Sequence, residues 1–200
     1  MPWPETVVLE HERVRLEPLA EAHAADLAEA VRDGELWNLW YTSAPHADAM
    51  LDEIRSRNAK REAGDWLPFA IIDKASGWTV GMTSYLNLLP KARRLEIGGT
   101  WMAKSVQGTG LNVACKLLLL EHAFETLDCI AVELRTSSFN LQSRRAIEAL
   151  GAKLDGVLRN HFDAYGNIRD TYVYSILPSE WPRVKRHLQW RLERRGAAST

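Results

Sequence analysis

The chain has 200 residues, of which 46% are hydrophobic, and a formal net charge of −1 at pH 7. This length is sufficient for one domain with its own core, and the near-neutral charge provides no overall field that would attract nucleic acid. The apolar runs are far shorter than the roughly 20 residues that cross a bilayer, and the amino terminus lacks a signal-peptide pattern, so we expect a cytoplasmic protein that does not enter a membrane.

The hydrophobic patterns of the first half predict a strand, two helices and three more strands, over residues 8–19, 20–31, 48–63, 66–73, 79–88 and 94–102 in that order. The connection between the two helices contains Trp37, Trp40 and Tyr41. Aromatic walls with polar tips suit an amine or the end of a peptide, which makes this cluster a candidate substrate pocket. Trp37 and Trp40 can also share one helical face, so a plug of the hydrophobic core is the alternative interpretation.

The most distinctive segment follows the strand at 94–102 and opens an apolar helix. It consists of Val106, Gln107, Gly108, Thr109, Gly110, Leu111 and Asn112. Two glycines let the backbone curl tightly, and the unpaired N–H groups at the start of a helix attract anions. The segment therefore predicts a phosphate-binding loop, with a simple helix-entry turn as the alternative. Lys104 and Lys116 are either additional phosphate contacts or surface lysines.

A second motif follows a predicted strand at 129–136. Asn140 and Ser143 begin an amphipathic helix that ends at Gly151 and Ala152. Asn is among the preferred helix N-cap residues, and Ser143 lies one helical turn further on the same face. Strands at 154–162 and 171–177, joined through residues 165–167, then form a predicted hairpin. The two cysteines lack metal-ligand spacing, so we expect reduced core residues and no metal site.

With these two motifs the sequence resembles the GNAT superfamily of acyl-CoA-dependent N-acyltransferases, and within it the RimJ/RimL-like branch. The pyrophosphate loop of that branch reads Gln/Arg-x-x-Gly-x-Gly/Ala, and Gln107 and Gly110 match it, whereas Asn112 stands where Gly or Ala is usual. The branch's Asn-x-x-Ser signature is matched by Asn140 and Ser143. The resemblance spans residues 8–177 and is strongest over 95–175. Resemblance and pattern both imply an α+β fold with a mixed, mostly antiparallel central sheet and helices on both faces.

The resemblance also implies roles for these residues. The loop at 106–112 would hold the pyrophosphate of acetyl-CoA, and Asn140 would hydrogen-bond the pantetheine arm. In the RimL-like branch a serine in the place of Ser143 resembles the group that protonates or hydrogen-bonds the sulfur, and the tyrosine that many other relatives use four residues later is Ile147 here. An exposed helix serine is the alternative interpretation of Ser143.

The identity of the general base stays open at this point. Glu96 precedes Gln107 by eleven residues, a separation similar to that of a catalytic glutamate in histone-acetylating relatives. In the RimL branch the base instead lies on a later strand, where this chain has Phe162 beside His161. Histidine has a suitable pKa for a base near neutrality, and a chain of water molecules is the third alternative.

We therefore expect one acyltransferase domain over residues 1–200 that acetylates a primary amine, either a protein N-terminal α-amine or a small molecule. An α-amine is roughly a quarter neutral at cytoplasmic pH and needs little help from a base, whereas a lysine needs much more. A basic amphipathic helix is predicted at 179–195. Its basic face either contacts solvent or docks an acidic partner such as a ribosomal substrate. A non-catalytic acyl-CoA-binding module is the alternative function, and a homodimer is left open.

Overall fold

The computed structural model describes residues 3–42, 44–162, 166 and 168–197. Within these residues the strands are β1 to β8, at Leu9–Glu10, Val14–Pro18, Leu67–Asp73, Thr79–Leu89, Arg94–Met102, Ala131–Ser137, Lys153–Phe162 and Ile168–Ile176. The α-helices are α1 to α5, at Ala24–Arg32, Met50–Glu62, Leu111–Glu121, Leu141–Glu148 and Trp181–Ala197.

The described strands form one sheet in the order β1-β2-β3-β4-β5-β6-β8-β7. Every neighbouring pair is antiparallel except β5 and β6, which run parallel because α3 carries the chain between them. The predicted mixed, mostly antiparallel sheet is therefore confirmed. None of the helices in the described ranges has the length and hydropathy needed to cross a bilayer.

Each face of the sheet has its own hydrophobic cluster. On one face α1 and α2 contribute Leu27, Val31 and Ile54, which pack with Ala70 and Met82 of the strands. The other face is covered by α3, α4 and α5. The stripe of α5 that the sequence predicted is buried there, through Trp181, Val184, Leu188 and Leu192.

The prediction of one strand over residues 8–19 was wrong. A turn separates β1 from β2, because the amide of Arg13 donates to Nδ1 of His11 and the amide of His11 donates to the carbonyl of Val14. The two pieces then pair with each other. The first two helices begin with 3₁₀ turns, at Glu21–His23 and Ala47–Ala49, which α-helical periodicity does not distinguish. The predicted hairpin turn at 165–167 lies outside the described residues except for Gly166.

Candidate active site

A cleft opens where β5 and β6 separate. Their parallel ladder pairs only residues 94–96 with residues 131–133. β5 continues to Met102 and β6 to Ser137, and residues of both strands beyond the ladder line the cleft. The break in pairing therefore creates a concave site in the middle of the sheet, bordered by two strand edges.

The cleft has a volume of about 640 Å³ and connects two groups of elements. On the side of α3 and α4 it is lined by Val113, Lys116 and Ile147, together with both predicted motifs. At its other end it reaches Tyr41 and Arg57, in the segment after α1 and in α2. The cleft therefore reaches elements that pack on both faces of the sheet.

The glycine loop has the geometry of an anion cradle. Gly108 and Gly110 adopt φ values of +78° and +103°, which residues with a Cβ rarely adopt. The space above Gly108 is open, with no atom within 4 Å of an added Cβ. Gly110 is the N-cap of α3, so the first amide N–H groups of the helix lack intrahelical acceptors.

Two side chains of the loop are set against the cleft. Gln107 donates from Nε2 to the carbonyl of Met102 at 3.0 Å and accepts at Oε1 from Gln142 at 3.1 Å, which ties the loop to α4. Oδ1 of Asn112 is buried without a hydrogen-bond partner. Both residues line the cleft, as do Gly108 and Gly110, whereas Val106, Thr109 and Leu111 do not. The backbone amides at the start of α3 and the open space above Gly108 fit the diphosphate of coenzyme A, whereas the unpaired Oδ1 of Asn112 can only accept a hydrogen bond from a ligand donor.

The second motif lies beside the loop, to which Gln142 of α4 is hydrogen-bonded. Asn140 caps α4, since its Oδ1 accepts a hydrogen bond from the amide of Ser143 at 2.9 Å. Both residues line the cleft. The cap uses Oδ1 of Asn140, which leaves its Nδ2 group as a donor for a ligand amide.

Glu96 is the carboxylate at the base of the cleft, beside the last pair of the β5–β6 ladder. Its Oε2 accepts a hydrogen bond from Nδ2 of Asn87 at 2.7 Å and lies 3.4 Å from Nε of Arg135. The other oxygen, Oε1, lies beside Gly98, where a Cβ atom would come within 2.9 Å of it. Among the described residues nothing donates a hydrogen bond to Oε1. One oxygen of the carboxylate is therefore held by the protein, and the other can accept a hydrogen bond from a ligand.

The environment of Glu96 also changes its acidity. Burial raises the pKa of this carboxyl above its usual value, and the charge of Arg135 and the hydrogen bond from Asn87 oppose part of that rise. A raised pKa is the usual condition of a carboxylate that acts as a general base near neutral pH.

His161 also lines the cleft, on β7 and opposite Arg169 of β8. Its Nδ1 atom is buried without a hydrogen-bond partner among the described residues. Glu96 and His161 thus open into the same cleft, and geometry alone does not exclude either as a base. Phe162 follows His161 on the cleft wall and is 61% exposed.

The aromatic cluster divides into three environments. Tyr41 lines the cleft. Trp37 packs against the α1–α2 cluster and contacts the ring of His46, with centroids 4.7 Å apart. Trp40 is 73% exposed and contacts Phe139 at the rim, with centroids 5.1 Å apart. Trp37 and Trp40 are not part of the cleft lining.

The sequence did not single out Asn87 and Arg57, which shape the site, and it left Lys116 as either a phosphate contact or a surface lysine. Asn87 holds Glu96, and Arg57 donates from Nη1 to the carbonyl of Gly99 at 3.0 Å. Lys116 is not a surface lysine, because it is 6% exposed and donates to Oγ1 of Thr100 at 2.8 Å. A lysine in the run Cys-Lys-Leu-Leu-Leu-Leu was the one available signal, since an ionisable residue on a buried helix face requires an explanation.

Residues 13–153 match the family described as the Acetyltransferase (GNAT) domain. The chain is also 34% identical over 109 residues to the "Putative ribosomal N-acetyltransferase YdaF" of Bacillus subtilis (strain 168). That match covers 54% of this chain and 59% of the Bacillus protein, so it spans less than two thirds of the relative's length.

Solved structures share the fold over most of the chain. A GCN5-related N-acetyltransferase from Brucella melitensis superposes with a TM-score of 0.84 at 31% identity, covering 96% of this chain and 87% of that one. RimJ of Mycobacterium smegmatis, solved in complex with CoA-disulfide, gives a TM-score of 0.75 at 23% identity, covering 95% and 96% of the two chains. The second likeness is one of fold alone.

Proposed function

The chain belongs to the GNAT acetyltransferase family, and from that premise we propose that it transfers the acetyl group of acetyl-CoA to a primary amine inside the cleft. The observation that carries this proposal is that the glycine loop, the α4 N-terminus and the free oxygen of Glu96 all open into one cavity. Acetyl-CoA supplies the acetyl group as a thioester. The protein supplies binding, orientation and proton transfer.

On this proposal the loop at 106–112 and the first turn of α3 bind the diphosphate. Each favourable contact of an anion with a helix N-terminus contributes about 0.3–1 kcal/mol, and up to about 2 kcal/mol where the site is partly buried. Nδ2 of Asn140 donates to a carbonyl of the pantetheine arm. The Ser143 hydroxyl, one turn into α4, hydrogen-bonds the sulfur.

We assign the general base to Glu96. Its Oε2 is fixed by Asn87 and Arg135, and its Oε1 faces the cleft without a protein donor in the described chain. A carboxylate held in this way accepts the proton that the attacking amine loses. His161 is the second candidate, because its ring also lines the cleft.

The acceptor is the second part of the reaction. We propose a protein N-terminal α-amine, because an α-amine makes a low demand on the base. The name of the Bacillus relative, a ribosomal N-acetyltransferase, supports a protein acceptor but does not specify which amine. The basic face of α5 is partly engaged within the chain, because Nζ of Lys185 lies 2.6 Å from Glu121 and Arg191 donates to the carbonyl of Ala149. A substrate that depends on α5 therefore has Arg183 and Arg186 as its main contacts.

Two measurements test the function. Isothermal titration with acetyl-CoA measures donor binding, and a thiol-release assay on a panel of α-amines, small amines and lysine peptides measures transfer. We expect binding and release with at least one α-amine. Binding without turnover on any amine would favour a non-catalytic acyl-CoA-binding module, and absence of binding would contradict the proposal.

The same assay tests the role of α5. If α5 docks an acidic macromolecule, Arg183→Gln with Arg186→Gln weakens activity on that acceptor and flattens its salt dependence, while activity on a free amine stays unchanged. If the double variant is as active as the natural protein on both acceptors, this face of α5 only contacts solvent.

A further inference from the structure

Lys116 is a charged group that the transfer described above does not use. It lies in α3 between apolar residues that are buried against the sheet. Its Nζ atom donates to Oγ1 of Thr100 at 2.8 Å, and that hydroxyl is 2.7 Å from the hydroxyl of Thr83. The amine therefore ends in a small cluster of neutral hydroxyl groups on the floor of the cleft.

This buried amine has no counter-charge in the described part of the chain. No carboxylate there lies within 4.0 Å of Nζ, and its electrostatic interaction is with the neighbouring thiol of Cys115. Glu96 of β5 is engaged by Asn87 and Arg135, and the α4 wall of the cleft is apolar at Ala146 and Ile147. Burying an ammonium among neutral groups is costly, so a bound anion is its natural partner.

The position of Lys116 along α3 restricts which anion this is. Its Cα atom is six positions after that of Gly110, so it lies roughly 9 Å further along the helix axis than the phosphate loop. Asn112 precedes it by one helical turn on the same face, and Asn112 and Lys116 both line the cleft. The diphosphate belongs at the helix start. The charge facing Lys116 is therefore one that arises deeper in the cleft.

We propose that Lys116 stabilises the thiolate of coenzyme A, the product that remains when the acyl group has been transferred. This inference rests on the proposed function, because it requires coenzyme A in the cleft. When the new N–C bond forms and the C–S bond breaks, the sulfur keeps the electron pair and becomes an anion. The ammonium of Lys116 supplies the opposite charge. A proton from water later neutralises the thiolate, and the hydroxide that remains takes up the proton that Glu96 received from the amine.

The acidity of the two groups is compatible with this role. Burial lowers the pKa of Lys116 to about 8, close to the ordinary thiol pKa of about 8.5. The amine is therefore still mostly charged near neutral pH, and a thiolate beside it would raise its pKa further. An uncharged lysine would offer the sulfur only a weaker hydrogen bond.

The test is a pH titration of bound coenzyme A, followed by the ultraviolet absorbance of its thiolate with the protein in excess. The chain suits this measurement, because burial raises the pKa of both its cysteines, Cys115 and Cys129, to about 12 and keeps them protonated. Lys116→Met removes the charge at similar length. Lys116→Arg keeps the charge, and Lys74→Met, at the exposed turn after β3, is the matched control.

We expect the thiol pKa of coenzyme A bound to the natural protein to be about 1–3 units below that of free coenzyme A. Lys116→Met should return it to the free value or above, while Lys74→Met and Lys116→Arg keep it low. Identical titrations of the natural protein and Lys116→Met would overturn the inference while leaving the proposed function intact. Failure of the natural protein to bind coenzyme A would instead contradict the proposed function itself.

A purely structural role for Lys116 and a role in anion binding predict opposite changes in the melting temperature of Lys116→Met. If the amine serves only to bond Thr100, Lys116→Met should melt at a lower temperature than the natural protein without ligand. If it is retained for an anion, the apo variant should melt at the same or a higher temperature, because an uncompensated buried charge has been removed. A lower melting temperature together with an unchanged thiol pKa would assign Lys116 to the fold alone.

Discussion

Asn87 donates a 2.7 Å hydrogen bond to Glu96 from a left-handed backbone conformation, with φ of +48°. The register of β4 against β5 shifts between Leu86 and Leu89, so Asn87 lies in a bulge at the point where β4 passes the carboxylate. Bulges of this kind redirect a side chain, and Asn tolerates the left-handed region better than most residues. The bulge therefore places the Asn87 side chain where it orients the Glu96 carboxylate.

Asn87→Gly should raise the pKa of Glu96, because the lost hydrogen bond is one of the contacts that lower it. Glycine adopts the same backbone conformation without strain, so we expect a folded protein. The acid limb of kcat/KM should move to higher pH by on the order of half to one unit. Arg93→Gly, at another position of positive φ, is the control and should leave the profile in place. An unmoved limb in Asn87→Gly would remove Asn87 from the site.

Glu96→Gln should lower kcat by about 10²- to 10⁴-fold while the affinity for acetyl-CoA stays nearly constant. The amide keeps the shape of the carboxylate but cannot accept a proton from the amine. Steady-state kinetics with a saturating donor, compared with the exposed Glu62→Gln, measure the effect. If Glu96→Gln keeps full turnover and His161→Ala loses it, the base is His161.

Gly110→Asp should abolish binding of acetyl-CoA, because it adds a carboxylate and a side chain at the start of α3, where φ is +103°. Gly77→Asp is the matched control, since Gly77 also has a positive φ of +77° but lies in the turn between β3 and β4. Both variants carry backbone strain, and only the first lies at the cleft. Calorimetric titration should show normal affinity for Gly77→Asp. Normal affinity in a folded Gly110→Asp protein would refute the loop assignment.

Ser143→Ala should reduce turnover more than affinity for acetyl-CoA, because a hydrogen bond to the sulfur gains strength as the C–S bond breaks. The cap of α4 uses the amide of Ser143 and not its hydroxyl, so the helix should stay intact. Ser76→Ala, in a distant turn, serves as the comparison. Unchanged kcat under conditions where chemistry limits the rate would show that the Ser143 hydroxyl does not assist the departing sulfur.

The stability of the apo protein should depend on Lys116 at alkaline pH. Its folded pKa of about 8 is below the ordinary value of 10.5, so the unfolded chain binds more protons between these two pH values. This group therefore destabilises the fold below pH 8, by roughly 3 kcal/mol, and the penalty disappears as the pH rises from 8 towards 10.5. Urea unfolding of the natural protein and Lys116→Met at a series of pH values should show this difference. Parallel curves would contradict it.

Much of the fold could be predicted because its signals are local. The strand at 94–102 has the bounds of β5, and the glycine loop and Asn140 both stand at helix starts as their residue types predict. The turn between β1 and β2 could not be predicted from strand periodicity, because a side chain, His11, competes for the backbone amide of Arg13.

The parts of the site that escaped prediction depend on contacts distant in sequence. Asn87 and Glu96 are nine residues apart on two strands, and a bulge decides whether their side chains meet. Lys116 and Thr100 meet only because α3 folds back under β5. A sequence pattern marks Lys116 as unusual but does not identify its neighbours. The position of Trp40 at the rim could not be predicted for a related reason, since its partner Phe139 belongs to the loop before α4.

The short ladder between β5 and β6 has a consequence for how the chain can be divided. Strands β1 to β5 come from the first part of the sequence and β6 to β8 from the last. In the described chain the backbone pairing between these half-sheets is confined to residues 93–96 and 130–133. A cut near residue 128, in the exposed connection before β6, would leave two fragments that each retain a continuous antiparallel half-sheet. Such fragments should reassemble more readily when a ligand bridges both strand edges, which would make the chain a candidate split reporter for occupancy of its own cleft.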